Sequence, residues 1–209
     1  LHELHGGNHN KAVAGLERLL YPAEPLPVDP CPLILATADD LSRVADEVSA
    51  DWSPFGDLLL TAGDPGNPRF LTKAEASQAL FTQLATGLEF IADRRIGRPL
   101  GTFGNPQPTL AEARASARSL RNVVLSLQAL RDLARTLDPD SPRTLTAFDH
   151  ALDLAAKLDD PTFARVTDPQ GWLKVEILQQ AIRTARDTAI AELGPALGVT
   201  LGFNSQDGD

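Results

Sequence analysis

What most constrains this chain is a periodicity. Between Thr72 and Leu193 apolar residues return every three or four positions, and the stretches that break the rhythm are rich in Pro, Gly, Asp and Asn. That spacing lays the apolar residues along one side of a helix, whereas a half-buried strand would need them at every second position. Strand signals are nearly absent: no β-branched run alternates with period two, and "LGVTLGF" near the C-terminus is the one short exception. The chain is therefore expected to be all-α.

Helix-breaking residues then place the boundaries. A first helix is expected from Lys11 to Tyr21, with Ala12, Leu16, Leu19 and Leu20 on one side, ending against Pro22, Pro25, Pro27 and Pro30. A second should run from Pro32 to Trp52 and stop at Ser53, Pro54 and Gly56. Thr72 followed by Glu75 is a capping box that opens a helix from Lys73 to Ile96, closed by Gly97, Pro99 and Gly101. Thr109 with Glu112 repeats the signature and is expected to open a long helix to Leu137. Two more are expected, from Thr144 to Leu158 and from Trp172 to Leu193. These four helices, joined by short links, read as an up-and-down bundle, while the first two are too few to make another. The expected division is a remnant of an N-terminal helical half at 1–66 and a C-terminal four-helix bundle at 67–209, closing on the turn "GFNSQDGD".

An internal echo points to duplication. "IGRPLGTFGN" at 96–105 resembles "LGPALGVTLGFN" at 193–204, so that Gly97, Leu100 and Gly101 meet Gly194, Leu197 and Gly198. Leu80, Phe81 and Gln83 meet Ile177, Leu178 and Gln180 in the same alignment. Two bundle-like halves would follow, with the front of the first half absent from this chain. The sequence contains no methionine, which fits a processed or partial product.

Composition narrows the partners. With 209 residues, 43% of them apolar and 22% charged, the chain can bury a sizeable core. Its formal net charge of −9, with the basic residues scattered, argues against nucleic acid. No run of about 18 apolar residues suited to crossing a membrane is present, and no secretory leader pattern is visible. The single cysteine, Cys31, allows no disulfide within the chain and reads as a small, half-buried residue in a helix's first turn.

Three of the four histidines, His2, His5 and His9, crowd into "LHELHGGNHN" with Glu3. His5 and His9 have the i, i+4 spacing of a zinc-peptidase helix, but Gly6 stands where the general-base Glu belongs. The segment reads as a solvated tail with some capacity to hold metal. His150 reads as a partly buried surface histidine, and no G-x-S-x-G elbow accompanies it. "GRPLGTFGN" lacks the lysine of a phosphate loop and follows a helix. Glu17 in "GLERLLY" and Glu89 in "GLEFIADRR" sit between apolar neighbours, where a carboxylate needs a partner such as Arg18, Arg94 or Arg95, or a metal. Asn204, Asp207 and Asp209 are spaced like the start of a calcium loop but lack its closing Glu. Phe203 would plug the bundle end.

These pieces together resemble a known family. "GLERLLY" at 15–21, "LFTQLATGLEFIADRRIGRPLG" at 80–101, "SLRNVVLSLQALRDL" at 119–133, "VEILQQA" at 175–181 and the closing "LGFNSQDGD" resemble the imelysin-like proteins of Gram-negative bacteria, from about residue 11 to the end. The resemblance implies an all-α protein of two four-helix-bundle-like halves, held in the periplasm, in some cases as a lipoprotein, and linked to iron uptake. It further implies a metallopeptidase ancestry with a G-x-H-x-x-E signature, whose His and Glu are taken as metal ligands. On this chain the signature Glu falls on Glu17, but its Gly falls on Ala12 and its His on Ala14.

The expectation is accordingly a periplasmic imelysin-like protein of iron uptake that binds metal, a small ligand or an envelope iron-transport partner and does not cleave peptides. Its site would use Glu17, with Arg121 and Asn122 from a facing helix and Asp207 from the tail. Iron or zinc held by Glu17, His5 and His9 is the cofactor expectation. Two alternatives stand beside it: a metallopeptidase using Glu17 with an N-terminal histidine, and a structural scaffold of the envelope.

Overall fold

The computed structural model describes residues 6–200, with side chains from Lys11 onward. The expectations on His2, His5, Phe203, Asn204, Asp207 and Asp209, and on the side chain of His9, lie outside the described residues. Among those described the chain is all-α, and it divides into two compact units, Leu1–Thr61 and Ala62–Asp209.

In the first unit α1 (Gly6–Leu20) packs on α2 (Cys31–Leu60). Helix α1 starts ahead of Lys11 in spite of Gly6 and Gly7, each of which costs about 1 kcal/mol against Ala. Helix α2 does not stop at Trp52 but runs through Pro54 to Leu60. The reason is that its inner stripe continues in phase: Ile34, Leu41 and Val44 are half-buried before the proline, and Phe55, Leu58 and Leu59 after it. Pro54 lies on the outer, exposed face, where losing one backbone hydrogen bond costs least. Trp52 and Phe55 pack across the proline with ring centroids 5.7 Å apart. Cys31 opens α2 and is exposed, not half-buried; its N–H donates to Asp29 Oδ1 at 3.0 Å.

The second unit holds α3 (Lys73–Glu89), a π-helical segment (Phe90–Ile96), the short α4 (Gly97–Leu100), α5 (Ser119–Leu137), α6 (Pro142–Lys157) and α7 (Pro169–Leu197). Helix α3 packs on α5 and α7, α5 on α6, and α6 on α7, which closes a four-helix bundle. Its core is built from Phe81, Leu84, Leu88, Leu127, Phe148, Leu178, Ile182 and Leu193, each essentially without solvent contact. Burying side chains of this size contributes about 1.5–3 kcal/mol apiece. Arg131 on α5 meets Asp149 on α6 through two hydrogen bonds of 2.7 and 3.1 Å, tying neighbouring helices at the surface.

Local signals account for some of the helix ends. Thr72 Oγ1 accepts from Glu75 N at 3.2 Å, and Glu75 Oε2 accepts from Leu71 N at 2.7 Å, one residue earlier than the usual reciprocal bond. The second expected capping box does not form: Thr109 lies in a 3-10 turn (Pro108–Leu110), and α5 begins at Ser119. Residues 111–118 are irregular, with Ala113 and Ala117 both at positive φ. Asp168 caps α7 by accepting from Gly171 N at 2.9 Å, so this helix starts at Pro169 and not at Trp172. The two glycines of the internal echo play matching parts: Gly101 ends α4 and Gly198 ends α7, both with positive φ.

The N-terminus of α6 is capped from a distant helix. Ser141 contributes no side-chain cap, and Glu192 of α7 instead accepts from Thr144 N at 2.6 Å and from Arg143 N at 3.3 Å. Burial opposes ionisation of Glu192, but these bonds and the Arg143 guanidinium outweigh it and hold the carboxyl down at about 2, against an ordinary value of 4.5. A depressed folded-state value means that the stabilisation is complete above pH 4.5 and is lost as the pH falls towards 2. Glu192→Gln should therefore cost about 2 kcal/mol at neutral pH. The same substitution should flatten the acid limb of the stability–pH curve, as read by urea melts between pH 2 and 7; an unchanged acid limb would show that Glu192 is not the group responsible.

Candidate functional site

Each unit presents its candidate residues separately. On α1 of the first unit, Glu17 is half-buried and Ala14, one turn earlier, is exposed. The two share a face at i, i+3 spacing, so a side chain at 14 is placed to act together with the carboxylate, but a methyl group can ligate nothing. Among the described residues no group of three or more His, Cys, Asp or Glu side chains is arranged to hold a metal ion.

In the second unit Arg121 and Asn122 are neighbours in sequence but face different ways. Asn122 is half-buried, and its amide donates to Glu112 Oε1 at 3.3 Å. Glu112 also pairs with Arg95 Nε at 2.9 Å, and Arg95 Nη1 donates to the Asn122 carbonyl at 3.0 Å and to Ser126 Oγ. Arg95 thus leaves the π-helical segment to clamp the first turn of α5. This explains the missing capping box: the carboxylate of Glu112 is engaged by Arg95 and by the Asn122 side chain of α5, and its backbone carbonyl accepts from Ser119 Oγ at 2.5 Å.

The π-helical segment is itself braced from α7. A π-turn shifts the backbone pairing by one residue, and Ala92 O accepts both from Gly97 N and from Gln179 Nε2, the latter at 2.8 Å. Arg183 of α7 donates to Asp93 at 2.8 Å. Gly97 keeps this contact uncrowded: a Cβ there would lie 3.0 Å from Gln179 Nε2 and 3.2 Å from Ala92 O, so these neighbours would have to give by a few tenths of an ångström.

Arg121, by contrast, is exposed and has no hydrogen bond or ion pair among the described residues. It stands at the edge of an open groove of about 580 Å³ between α5 and the C-terminal end of α6. Leu120, Val124, Leu125 and Leu158 give the groove an apolar lining, with Asp159 on its margin. The volume falls within the range of small-ligand sites, and a lone guanidinium over apolar surface favours an anionic group attached to an apolar body. His150 is exposed on α6 rather than partly buried, and it lines a separate shallow groove with Asp187. The Cys31 thiol is pushed up by its hydrogen bond to Asp29 and by the charge of that carboxylate, which disfavours the thiolate a nucleophile needs.

Sequence reasoning did not single out Arg95, Glu112 or Ser126 as a connected set. Arg95 came into view only as a partner for Glu89, and Glu112 only as a capping residue. Compared with known families, the sequence matches Imelysin over residues 8–189. No curated protein matches it, and no solved structure does.

Proposed function

Because the chain belongs to the imelysin family, we propose that it is a periplasmic protein of an iron-uptake system that binds a metal ion, a small ligand or an envelope transport partner and does not cleave peptides. The observation that carries this reading is Ala14. It occupies the place of the signature histidine, one helical turn from Glu17, and removes the imidazole that a peptidase of this type needs. The described residues do not fit a resident catalytic metal: Glu17 is one carboxylate, and zinc or iron needs several N, O or S donors. Binding asks for less, and the Arg121 groove supplies a free cation, an apolar floor and sufficient room. Localisation in the periplasm and a lipid anchor outside this chain belong to the same reading and rest on the family resemblance alone.

Metal analysis of the purified full chain, and of the chain without residues 1–10, tests it. The expected result is no peptide hydrolysis by either form, and a Glu17→Ala variant that keeps its helical circular dichroism. Stoichiometric metal that vanishes with the deletion, together with hydrolysis that Glu17→Ala abolishes, would instead establish a peptidase whose histidine comes from the N-terminal segment. Unfolding of Glu17→Ala would make Glu17 a structural residue and remove it from any site.

A further inference from the structure

Two small cavities adjoin at the junction of α6 and α7, apart from the Arg121 groove. The first, about 170 Å³ and the more enclosed, is lined by Lys157, Arg165, Lys174 and the aspartates 159, 160 and 168. The second, about 140 Å³, is lined by Leu154, Leu158 and Ile177 and shares Lys157 and Lys174 with the first. The polar chamber's charges are unevenly engaged. Asp160 accepts from the backbone N–H groups of Ala164 and Arg165 at 2.9 and 2.8 Å, and Asp168 accepts from Gly171 N at 2.9 Å. Asp159 is 94% exposed and lies 3.9 Å from Arg165. Neither Lys157 nor Lys174 has a hydrogen bond or ion pair among the described residues. Two carboxylates are therefore committed to backbone donors, while the two lysines that line both cavities stand without partners among the described residues. Among the described residues these aspartates do not form a metal-holding group.

We propose that the two cavities form one binding site for a small amphiphilic anion, with a carboxylate or phosphate head between Lys157 and Lys174 and a short alkyl tail on Leu154, Leu158 and Ile177. The apolar chamber explains why a bare anion is not the preferred occupant, and the lysines explain why a neutral alkane is not. Each buried methylene adds to affinity, and the paired ammonium groups add a contribution that salt weakens.

The test is titration of hexyl phosphate onto the isotope-labelled full chain, followed by amide shifts, with inorganic phosphate and hexanol as the two halves of the ligand. Saturable shifts around residues 154–177, tighter for hexyl phosphate than for either half, are expected. Lys157→Gln with Lys174→Gln should weaken hexyl phosphate by about tenfold. Ile177→Asn should weaken it severalfold and leave inorganic phosphate unchanged, since Ile177 is 45% exposed and its loss leaves the core intact. The proposal fails if shifts do not saturate, if hexanol binds as tightly as hexyl phosphate, or if the double lysine variant binds undiminished. The comparison of the three ligands needs only the unaltered protein, so a misfolded variant would not spare the proposal. Glu17 takes no part, so neither outcome bears on the metal test above.

Discussion

Gly171→Ala is expected to be among the most damaging single changes in the second unit, lowering stability by about 3 kcal/mol or more. An added Cβ would lie 2.0 Å from the Arg165 carbonyl oxygen, 2.7 Å from its carbonyl carbon and 2.9 Å from its Cβ. Real Cβ atoms do not approach backbone so closely, so either α7 or the 3-10 turn Ala164–Thr167 has to move. The turn cannot move freely. Arg165 N is held by Asp160 Oδ2 at 2.8 Å, and Arg165 O accepts from Asp168 N at 3.0 Å. Movement of α7 would disturb Val175 and Leu178, which are buried in the bundle core. In a domain of this size 3 kcal/mol corresponds to a fall in melting temperature of roughly 10 °C. Gly15→Ala is the control: nothing lies within 4 Å of its added Cβ, and a mid-helix glycine gains about 1 kcal/mol on becoming alanine. Thermal melts read by circular dichroism should separate the two glycines in sign. An unchanged midpoint for Gly171→Ala would mean that the turn yields at no cost.

This contrast shows what could and could not be seen in the sequence. The helices of the bundle were legible because burial imposes the same period wherever one face meets a core; α3, α5, α6 and α7 stand where apolar spacing put them, displaced only at their ends. Thr72 was legible because a cap acts over three residues. Glu112 was misread for the same reason: the local pattern is a capping box, but Arg95 and Asn122 claim the carboxylate. The π-helical segment left no mark either. A shift from i+4 to i+5 pairing turns the following side chains by about one residue, roughly 100°, and what braces it is Gln179, 87 residues away, which the local spacing does not reveal. Pro54 was taken as a stop because proline usually is one; that α2 passes it depends on which face is solvated, which spacing alone does not fix. Of the candidate site, Glu17 and Ala14 were visible through the family signature. The free guanidinium of Arg121 was not, because whether a charge is partnered depends on residues distant in sequence.

Asp160→Ala should produce a loss of similar size, about 3 kcal/mol, by a different route. This aspartate is 3% exposed, and both of its carboxylate oxygens accept backbone N–H groups, from Ala164 and Arg165. Its backbone is also engaged, donating to Leu158 O at 2.9 Å and accepting from Phe163 N at 3.4 Å. Between these anchors Phe163 is buried at φ +56°, a left-handed conformation that costs a non-glycine residue about 1–2 kcal/mol. The carboxylate helps to hold the chain in that conformation, so its loss removes two hydrogen bonds, and any relaxation of Phe163 offsets only part of that cost. Asp160→Asn retains one acceptor oxygen and should fall between wild type and alanine. Since Asp160 and Gly171 both act on the backbone of Arg165, their effects should not add: once Asp160 is gone the turn can shift, and Gly171→Ala should then cost about 1 kcal/mol less than it does alone. A double-mutant cycle by urea melts measures this coupling, and strict additivity would refute the idea that the Asp160 carboxylate fixes Arg165 against Gly171. The consequence reaches the proposed binding sites, because the Leu158–Asp160 turn lines both the Arg121 groove and the lysine cavity. Asp160→Ala should accordingly weaken hexyl phosphate binding although this residue need not touch the ligand, whereas Glu192→Gln, at the other end of α6, should lower stability and leave that affinity unchanged.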